Sequence, residues 1–309
     1  MVREELNFIE FQQRFHDLES CRLQLFRIKW PDGYKCEKCK CKNYYIVTTR
    51  NLYTCKKCQY QSSVTAGTIF HRSKMPLNIW FSLIFLMLRE KHGISMLSAQ
   101  RLLGIRCYRT IWTMGQKIRK VFSDKDQNYK LSGVIEVDEC LIGGKKKGKR
   151  GRGAEGRTLV MVAAEKIKYK KNGEEKVKTG FCKAQPIPSA DAQTLRDALK
   201  GKISMSSVVE TDGWRAYQKM GLKHFTHNSF IQGSGENASI LFPCVHRVIS
   251  NLKGNIRGTF HGIKSKYLKY YLGEYLYRFN RRHVESQLFF RGLWACVEHQ
   301  PYTFSEVTT

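Results

Sequence analysis

The chain is poor in acid. Its 309 residues carry 26 Asp and Glu against 54 Lys and Arg, a formal charge of +28. The basic residues run through the whole chain and are not confined to one tail. An excess of that size calls for a polyanionic partner, and nucleic acid is the first candidate. A basic protein with no such partner is the plainer alternative. Long apolar runs are also missing. The longest, IWFSLIFLML (Ile79–Leu88), has ten residues, too few to span a bilayer. Met1–Glu10 is polar and acidic, so no signal peptide is expected there. The expected location is therefore intracellular: cytoplasmic and nucleoid-associated in a bacterium, nuclear in a eukaryote. No internal repeat is apparent.

Apolar residues make up 42% of the chain, enough for sizeable cores, and the length suits two or three modest domains. Eleven cysteines in an intracellular chain point to metal ligation or free thiols before disulfides. Cys36 and Cys39 form one C-x2-C pair and Cys55 and Cys58 a second, with fifteen residues between the pairs. Two such turns joined by a short hairpin supply the four soft ligands of a tetrahedral Zn2+ site, and YYIVTT supplies strand-forming residues. Cys41 is a spare thiol that competes with Cys39, and the symmetry of the two pairs favours Cys39.

Helical spacing of Phe8, Phe11, Phe15, Leu18 and Leu25 predicts a helix over 4–27, and the Pro and Asp-Gly of WPDGYKC break it. Residues 76–122 read as helical, from Pro76 at a helix start to a stop at Gly93. SMLSAQRLLGI and CYRTIWTMGQKIRKVF then form a helix, a tight turn at Gly104 and a second helix. That is a helix-turn-helix pattern, whose second helix often enters the major groove; it would offer Arg109, Lys117 and Arg119 to DNA. Beyond residue 130 the pattern changes to strands. GVIEVDECLIGG, RTLVMVAAEKI and EKVKTGFCKAQPI follow one another, with a hairpin turn at Asn172-Gly173. A helix capped by Ser189, the short strand SSVVETDGW and further helices complete a mixed α/β sheet domain. The expected organisation is an N-terminal helix (1–30), a zinc ribbon (31–72), a helical DNA-binding region (73–125), a catalytic domain (130–296) and a tail (297–309).

Two apolar strands carry acids at their ends, VIEVDE and VVETDG. A carboxylate on a buried strand is costly unless paired, and acids at strand ends line the rim where ligands bind. A divalent cation removes the repulsion between two such acids, and oxygen ligands suit Mg2+ or Mn2+. Alternation places Glu136 and Asp138 on one face and Glu139 on the other. The pattern alone does not choose between Glu136 and Asp138. Glu210 is the face-mate of Asp212.

The blocks VIEVDECLIGGKKKGKRGRGAEGRTLV, VVETDGWRAY and VHRVISNLKGNIRGTFHGIKSKYLKYYLGEYLYRFNRR resemble, in order, the motifs of bacterial insertion-sequence transposases. The resemblance is to the branch with an N-terminal zinc ribbon and an ISXO2-like transposase domain, related to the eukaryotic Merlin elements. SVTAGTIFHRSKMP resembles the same branch, and the likeness covers about residues 8–296. It implies a ribonuclease H-like catalytic domain with three metal-binding positions. Asp138 matches the first, Asp212 the second and His246 the third, where related branches commonly carry Glu or Asn. Lys253 matches a basic residue two helical turns beyond. An imidazole at the third position favours Mn2+ over Mg2+. The basic run Lys145, Lys146, Lys147, Lys149, Arg150 and Arg152, interleaved with glycines just after Asp138, reads as a loop that guides a phosphate backbone. Trp214, beside Asp212, suits stacking on a base or a core position equally.

The implied activity is metal-dependent cleavage and strand transfer at the ends of an insertion sequence. It requires at least a dimer on DNA, since two ends are joined in one event. The rivals are a metal-dependent nuclease on the same scaffold and a catalytically dead DNA-binding regulator.

Overall fold

A computed structural model of the chain describes residues 6–143, 157–221, 225–230, 238–260 and 262–308. The chain divides into two compact units, Met1–Val121 with Val284–Thr309, and Phe122–His283.

In the first unit the expected N-terminal helix is two helices, α1 (Phe8–Arg14) and α2 (Leu18–Lys29). Asp17 makes the break: its side chain accepts the Ser20 amide at 2.7 Å and so starts a new helix where the apolar spacing suggests continuity. Phe11 and Phe15 stack against Phe81, Phe85 and Phe289, joining α1 to α3 (Leu77–Arg89) and α11 (Leu288–Glu298). Between α2 and α3 in the chain comes a small sheet of β1 (Tyr44–Val47), β2 (Leu52–Cys55) and β3 (Gln61–Ser62), antiparallel throughout. Helix α4 (Met96–Leu102), capped by Ser95, and α5 (Tyr108–Lys125) follow with a tight turn at Gly104 between them. The unit ends in α12 (Phe304–Thr308).

The second unit is built on a five-stranded sheet in the order β6-β5-β4-β7-β8. Strands β4 (Val134–Ile142), β5 (Thr158–Lys171) and β6 (Glu174–Pro186) form an antiparallel meander. Asn172 and Gly173 close its second hairpin with φ of 54° and 82°, the signs a tight two-residue turn needs. Helix α6 (Ala192–Leu199) crosses over to β7 (Val208–Asp212), which runs parallel to β4; β8 (Thr226–Phe230) adds a parallel edge after the short α7 (Arg215–Gln218), and α8 (Ala238–Leu241) follows. This order and these directions are those of a ribonuclease H-like sheet. The cap of α6 is Asp191, not Ser189: Asp191 accepts the Gln193 and Thr194 amides, and the Ser189 hydroxyl braces its carboxylate.

Both faces of the sheet are covered. Cys140, Ile142, Val160 and Val162 pack on α9 (Pro243–Thr259) and α10 (Ser265–Asn280); Ile135, Val137, Met161 and Ala163 pack on α6 and α7. That is why β4 and β5 read as nearly unbroken apolar runs. The end of α5 meets α10 at Gly273, where a Cβ would come within 2.7 Å of the Ser123 Cα, so only glycine admits the contact.

Candidate functional site

Two groups of chemically active side chains come together, one in each unit. In the first, Cys36, Cys39, Cys55 and Cys58 bring their sulfurs within 4.8 Å of one another. The two knuckles repeat each other. The residue after each second cysteine adopts a left-handed conformation, Lys40 at φ 61° and Gln59 at φ 56°. Each then returns its amide to the first cysteine's carbonyl, Lys40 to Cys36 and Gln59 to Cys55, both at 3.0 Å. Cys41 lies outside the cluster, its thiol turned to the Asn43 carbonyl. Four convergent thiols on two turns suit a structural zinc ion.

In the second unit the acids of β4 divide into two roles. Glu136 is fully buried, and one of its oxygens accepts the amides of Cys244 and Val245, in the first turn of α9, at 2.8 and 2.9 Å. Its other oxygen lies 3.3 Å from the Lys166 ammonium, which also donates to Glu210 at 2.9 Å. Burial pushes the Glu136 carboxyl upward, against the pull of the helix amides and Lys166. Burial also opposes the charge on Lys166, but the two carboxylates outweigh it and raise its pKa. The Glu136–Lys166–Glu210 cluster therefore ties α9 to the centre of the sheet.

Two residues on, Asp138 stays partly open. One of its oxygens accepts the Glu139 amide at 2.7 Å, and the other lies 3.6 Å from Nε2 of His246 on α9. Burial raises its pKa first; Glu139 and His246 resist, while the negative charge of Asp212 adds to the rise and Lys253 opposes it. Asp212 ends β7, its side chain accepting the Trp214 amide at 3.1 Å. The structure thus brings Asp138, Asp212, His246 and Lys253 into one electrostatic neighbourhood at the rim of the sheet. Among the described residues, no three or more His, Cys, Asp or Glu outside the cysteine cluster converge within 4.8 Å, so the acids and His246 form a wider arrangement than the thiols. Beneath it sits the buried Tyr217 phenol. Its pKa is pushed well up by burial and by the carboxylates of Glu139, Asp138 and Asp212. Sequence reasoning missed Tyr217; its one signal was its place in the WRAY segment after Asp212.

The basic residues fare unequally. Arg109 is exposed, with its guanidinium 4.5 Å from the Phe304 ring. Lys117 is half-buried, and burial lowers its pKa against the pull of Glu306. Arg119 is fully buried and has no surface to offer DNA; it occupies the packed side of α5 with Met114, Ile118 and Val121. Lys145, Lys146, Lys147, Lys149, Arg150 and Arg152 lie outside the described residues. Trp214 is exposed, its Nε1 reaching the Ala190 carbonyl at 3.5 Å. Among the described residues no helix is long and apolar enough to cross a membrane.

Two family models match separate parts of the chain. The family described as ISXO2-like transposase domain matches residues 130–280, and the transposase zinc-ribbon domain matches residues 17–61. A protein in the transposable element ISH50 of Halobacterium salinarum is 26% identical over 231 residues, covering 69% of this chain and 73% of that protein. A transposase-like protein of Haemophilus influenzae is 28% identical over 109 residues, 33% of this chain and 83% of its own. Among solved structures, the Mos1 strand transfer complex matches at 9% identity with a TM-score of 0.26, covering 72% of this chain and 78% of that one.

Proposed function

The chain belongs to the ISXO2-like transposases with an N-terminal zinc ribbon, and we propose that it is an active transposase that binds the ends of its insertion sequence, cleaves there and joins them to target DNA. The observation that carries this reading is the meeting of Asp138 with His246 at 3.6 Å on the rim of the sheet, within the field of Asp212 and Lys253.

Two oxygen donors and one nitrogen donor, with mutual repulsion between the acids, fit a divalent cation of the Mg2+ or Mn2+ type. Held by Asp138, Asp212 and His246, such ions would activate the attacking oxygen and neutralise charge at the leaving one. The residues present do the rest. The Glu139 amide fixes the orientation of Asp138. Glu136 holds the first turn of α9, and through it the position of His246 one residue beyond Val245. Lys253, seven residues further along α9, would receive a backbone phosphate. Cleavage is attack of water on a phosphodiester at the element end. The new P–O bond forms as the bond to the 3′ oxygen breaks; the freed 3′-hydroxyl then attacks a target phosphodiester in line, joining to its phosphorus as the target's own 3′ oxygen leaves. The zinc ribbon and the α4–α5 pair recognise the ends, with Arg109 and Lys117 as contacts and Arg119 withdrawn from that role. At least a dimer acts, because two ends must be joined in one event.

The test uses end-bearing duplex with Mg2+ or Mn2+. Asp138→Ala and Asp212→Ala abolish strand cleavage while binding to the duplex persists. Cleavage surviving in either variant overturns the assignment of that residue. A precut end that is never joined to target DNA would reduce the activity to that of a nuclease.

A further inference from the structure

Away from the acids, a cavity of about 610 Å³ opens along β6, the edge strand of the sheet. The end of α5, the turn after α6 and helix α10 form its other walls. Lys183, Lys200, Lys202 and Lys269 all line it. One carboxylate, Asp126, is also present, but it is already engaged: Arg281 donates to it at 2.6 and 3.0 Å and Asn280 at 3.3 Å. The cavity is therefore strongly cationic, with its one acid neutralised.

The fold fixes these cations in place. Gly201, at φ 73°, makes the left-handed turn that sets Lys200 and Lys202 on either side of it. The Lys202 backbone is pinned by its carbonyl, which accepts the Leu131 amide at 2.8 Å. Its ammonium donates to the Ala198 carbonyl at 2.8 Å and to Gln185, and Lys183 donates to the Gln127 carbonyl at 3.0 Å. Both ammoniums thus hold carbonyls at or just beyond a helix end. An ammonium has three N–H donors, so each keeps at least one further donor. Burial drives the Lys202 pKa down to about 8, with Lys183 adding to the effect, and burial lowers Lys183 as well. Asp126 opposes the fall at Lys183, but that carboxylate is shared with Arg281, and these cations at a partly dry site are a costly arrangement unless a ligand completes it.

The strand edge contributes too. The Cys182 amide and carbonyl turn away from β5 to the Asn280 side chain, at 2.9 and 3.0 Å. Alternation gives Ala184, two residues on, the same outward backbone. The strand register aligns Asp138 with Val162 and Val162 with Ala184. The cavity is thus two strands across from the acid site, roughly 10 Å, or about three nucleotide rises along a DNA strand.

We propose that this lysine cavity is a phosphate-binding site, filled by a backbone phosphate of DNA engaged by the sheet or by the phosphates of a free nucleotide. Only the first source rests on the transposase reading. The cavity's chemistry, four ammoniums with a strand-edge amide and no available acid, selects phosphate over a cationic or apolar ligand.

The experiment measures binding of the full chain to a duplex of arbitrary sequence as a function of salt, together with calorimetric titration of pyrophosphate. Two double variants are used: Lys183→Gln with Lys202→Gln in the floor, and Lys200→Gln with Lys269→Gln at the exposed mouth. Lys168→Gln with Lys176→Gln serves as control, since those charges already face Glu175 and Glu174. If a DNA phosphate is the ligand, floor and mouth variants lower the slope of log affinity against log salt by about 0.9 for each phosphate they no longer neutralise, and the control does not. If a free nucleotide is the ligand, the duplex slope stays at the wild-type value while pyrophosphate binding disappears in both variants. The proposal is overturned when neither measurement changes. Should the floor variant fail to fold, the mouth variant decides alone, because its two side chains are exposed. Cleavage lost in Asp138→Ala with the salt slope intact concerns only the acid site, so the two readings fail separately.

Discussion

Glu136 and Asp138 are acids two positions apart on one face of one strand, and their surroundings give them opposite tasks. Glu136 receives two helix amides and a lysine; Asp138 receives one amide and faces a histidine and another acid. Glu136→Ala leaves the first turn of α9 without its buried acceptor and Lys166 with Glu210 as its one remaining carboxylate, and is expected to cost about 3 kcal/mol or more. Asp138→Ala removes a charge that its own surroundings resist, and stability should hold or rise slightly. Urea unfolding of the two variants checks the contrast, and an equal loss in both would contradict it. His246 carries a further consequence. As a nitrogen donor it favours Mn2+, so cleavage by the native chain should be faster with Mn2+ than with Mg2+. His246→Glu should narrow that difference, as read by metal titration of cleavage. Lys202 has a pH signature of its own. Its folded pKa of about 8 lies below the ordinary lysine value of 10.5, so between those limits the unfolded chain binds more protons than the folded one. Stability from this group therefore rises with pH across the window from 8 to 10.5. Lys202→Met should flatten that rise in urea melts taken at about pH 8 and pH 10.

At the scale of elements, what was legible followed the strength of local signals. The cysteine pairs announced the ribbon because four ligands at that spacing have few other uses. Asn172-Gly173 announced its hairpin because few other residue pairs accept positive φ twice. Periodicity joins α1 and α2 because it registers faces and not caps, and Asp17 ends that face with one side chain. Ser189 reads as a cap that Asp191 in fact supplies, two good capping residues lying within three positions. Strand β8 gives no signal of its own: THNSF is polar and mostly exposed, an edge strand held by pairing with β7 and not by an apolar pattern. The choice between Glu136 and Asp138 came from the family resemblance, because alternation puts both on one face and only the position of α9 separates them. The same scale carries a packing prediction. Gly273 lets α10 approach the end of α5, and the obstructing atoms are the Ser123 Cβ at 2.5 Å and its backbone Cα at 2.7 Å, which cannot swing aside. Gly273→Ala should cost about 1–3 kcal/mol through overpacking, although alanine is the better helix former. A gain in melting temperature would show that the helices separate freely.

For the whole molecule the governing quantity is charge. A formal +28 on 309 residues opposes compaction by self-repulsion and favours any state in which an anion is bound. Part of the charge is consumed inside the fold: Lys166 serves two carboxylates, Arg281 serves Asp126 and Arg119 is buried. The densest basic stretch of the sequence is the run from Lys145 to Arg152, directly after the strand that carries Asp138. If those six charges meet phosphate, replacing all of them with Gln lowers the salt slope of duplex binding by as much as ~5, at about 0.9 per neutralised phosphate. Because glycine and charge predominate there, the same replacement should leave the melting temperature of the sheet unit nearly unchanged. The two readouts together separate a DNA-guiding segment from a structural one. A slope unaltered by the replacement would mean that these charges never meet phosphate, and that the excess acts elsewhere on the surface. A lower melting temperature with the slope intact would give the run a part in folding instead.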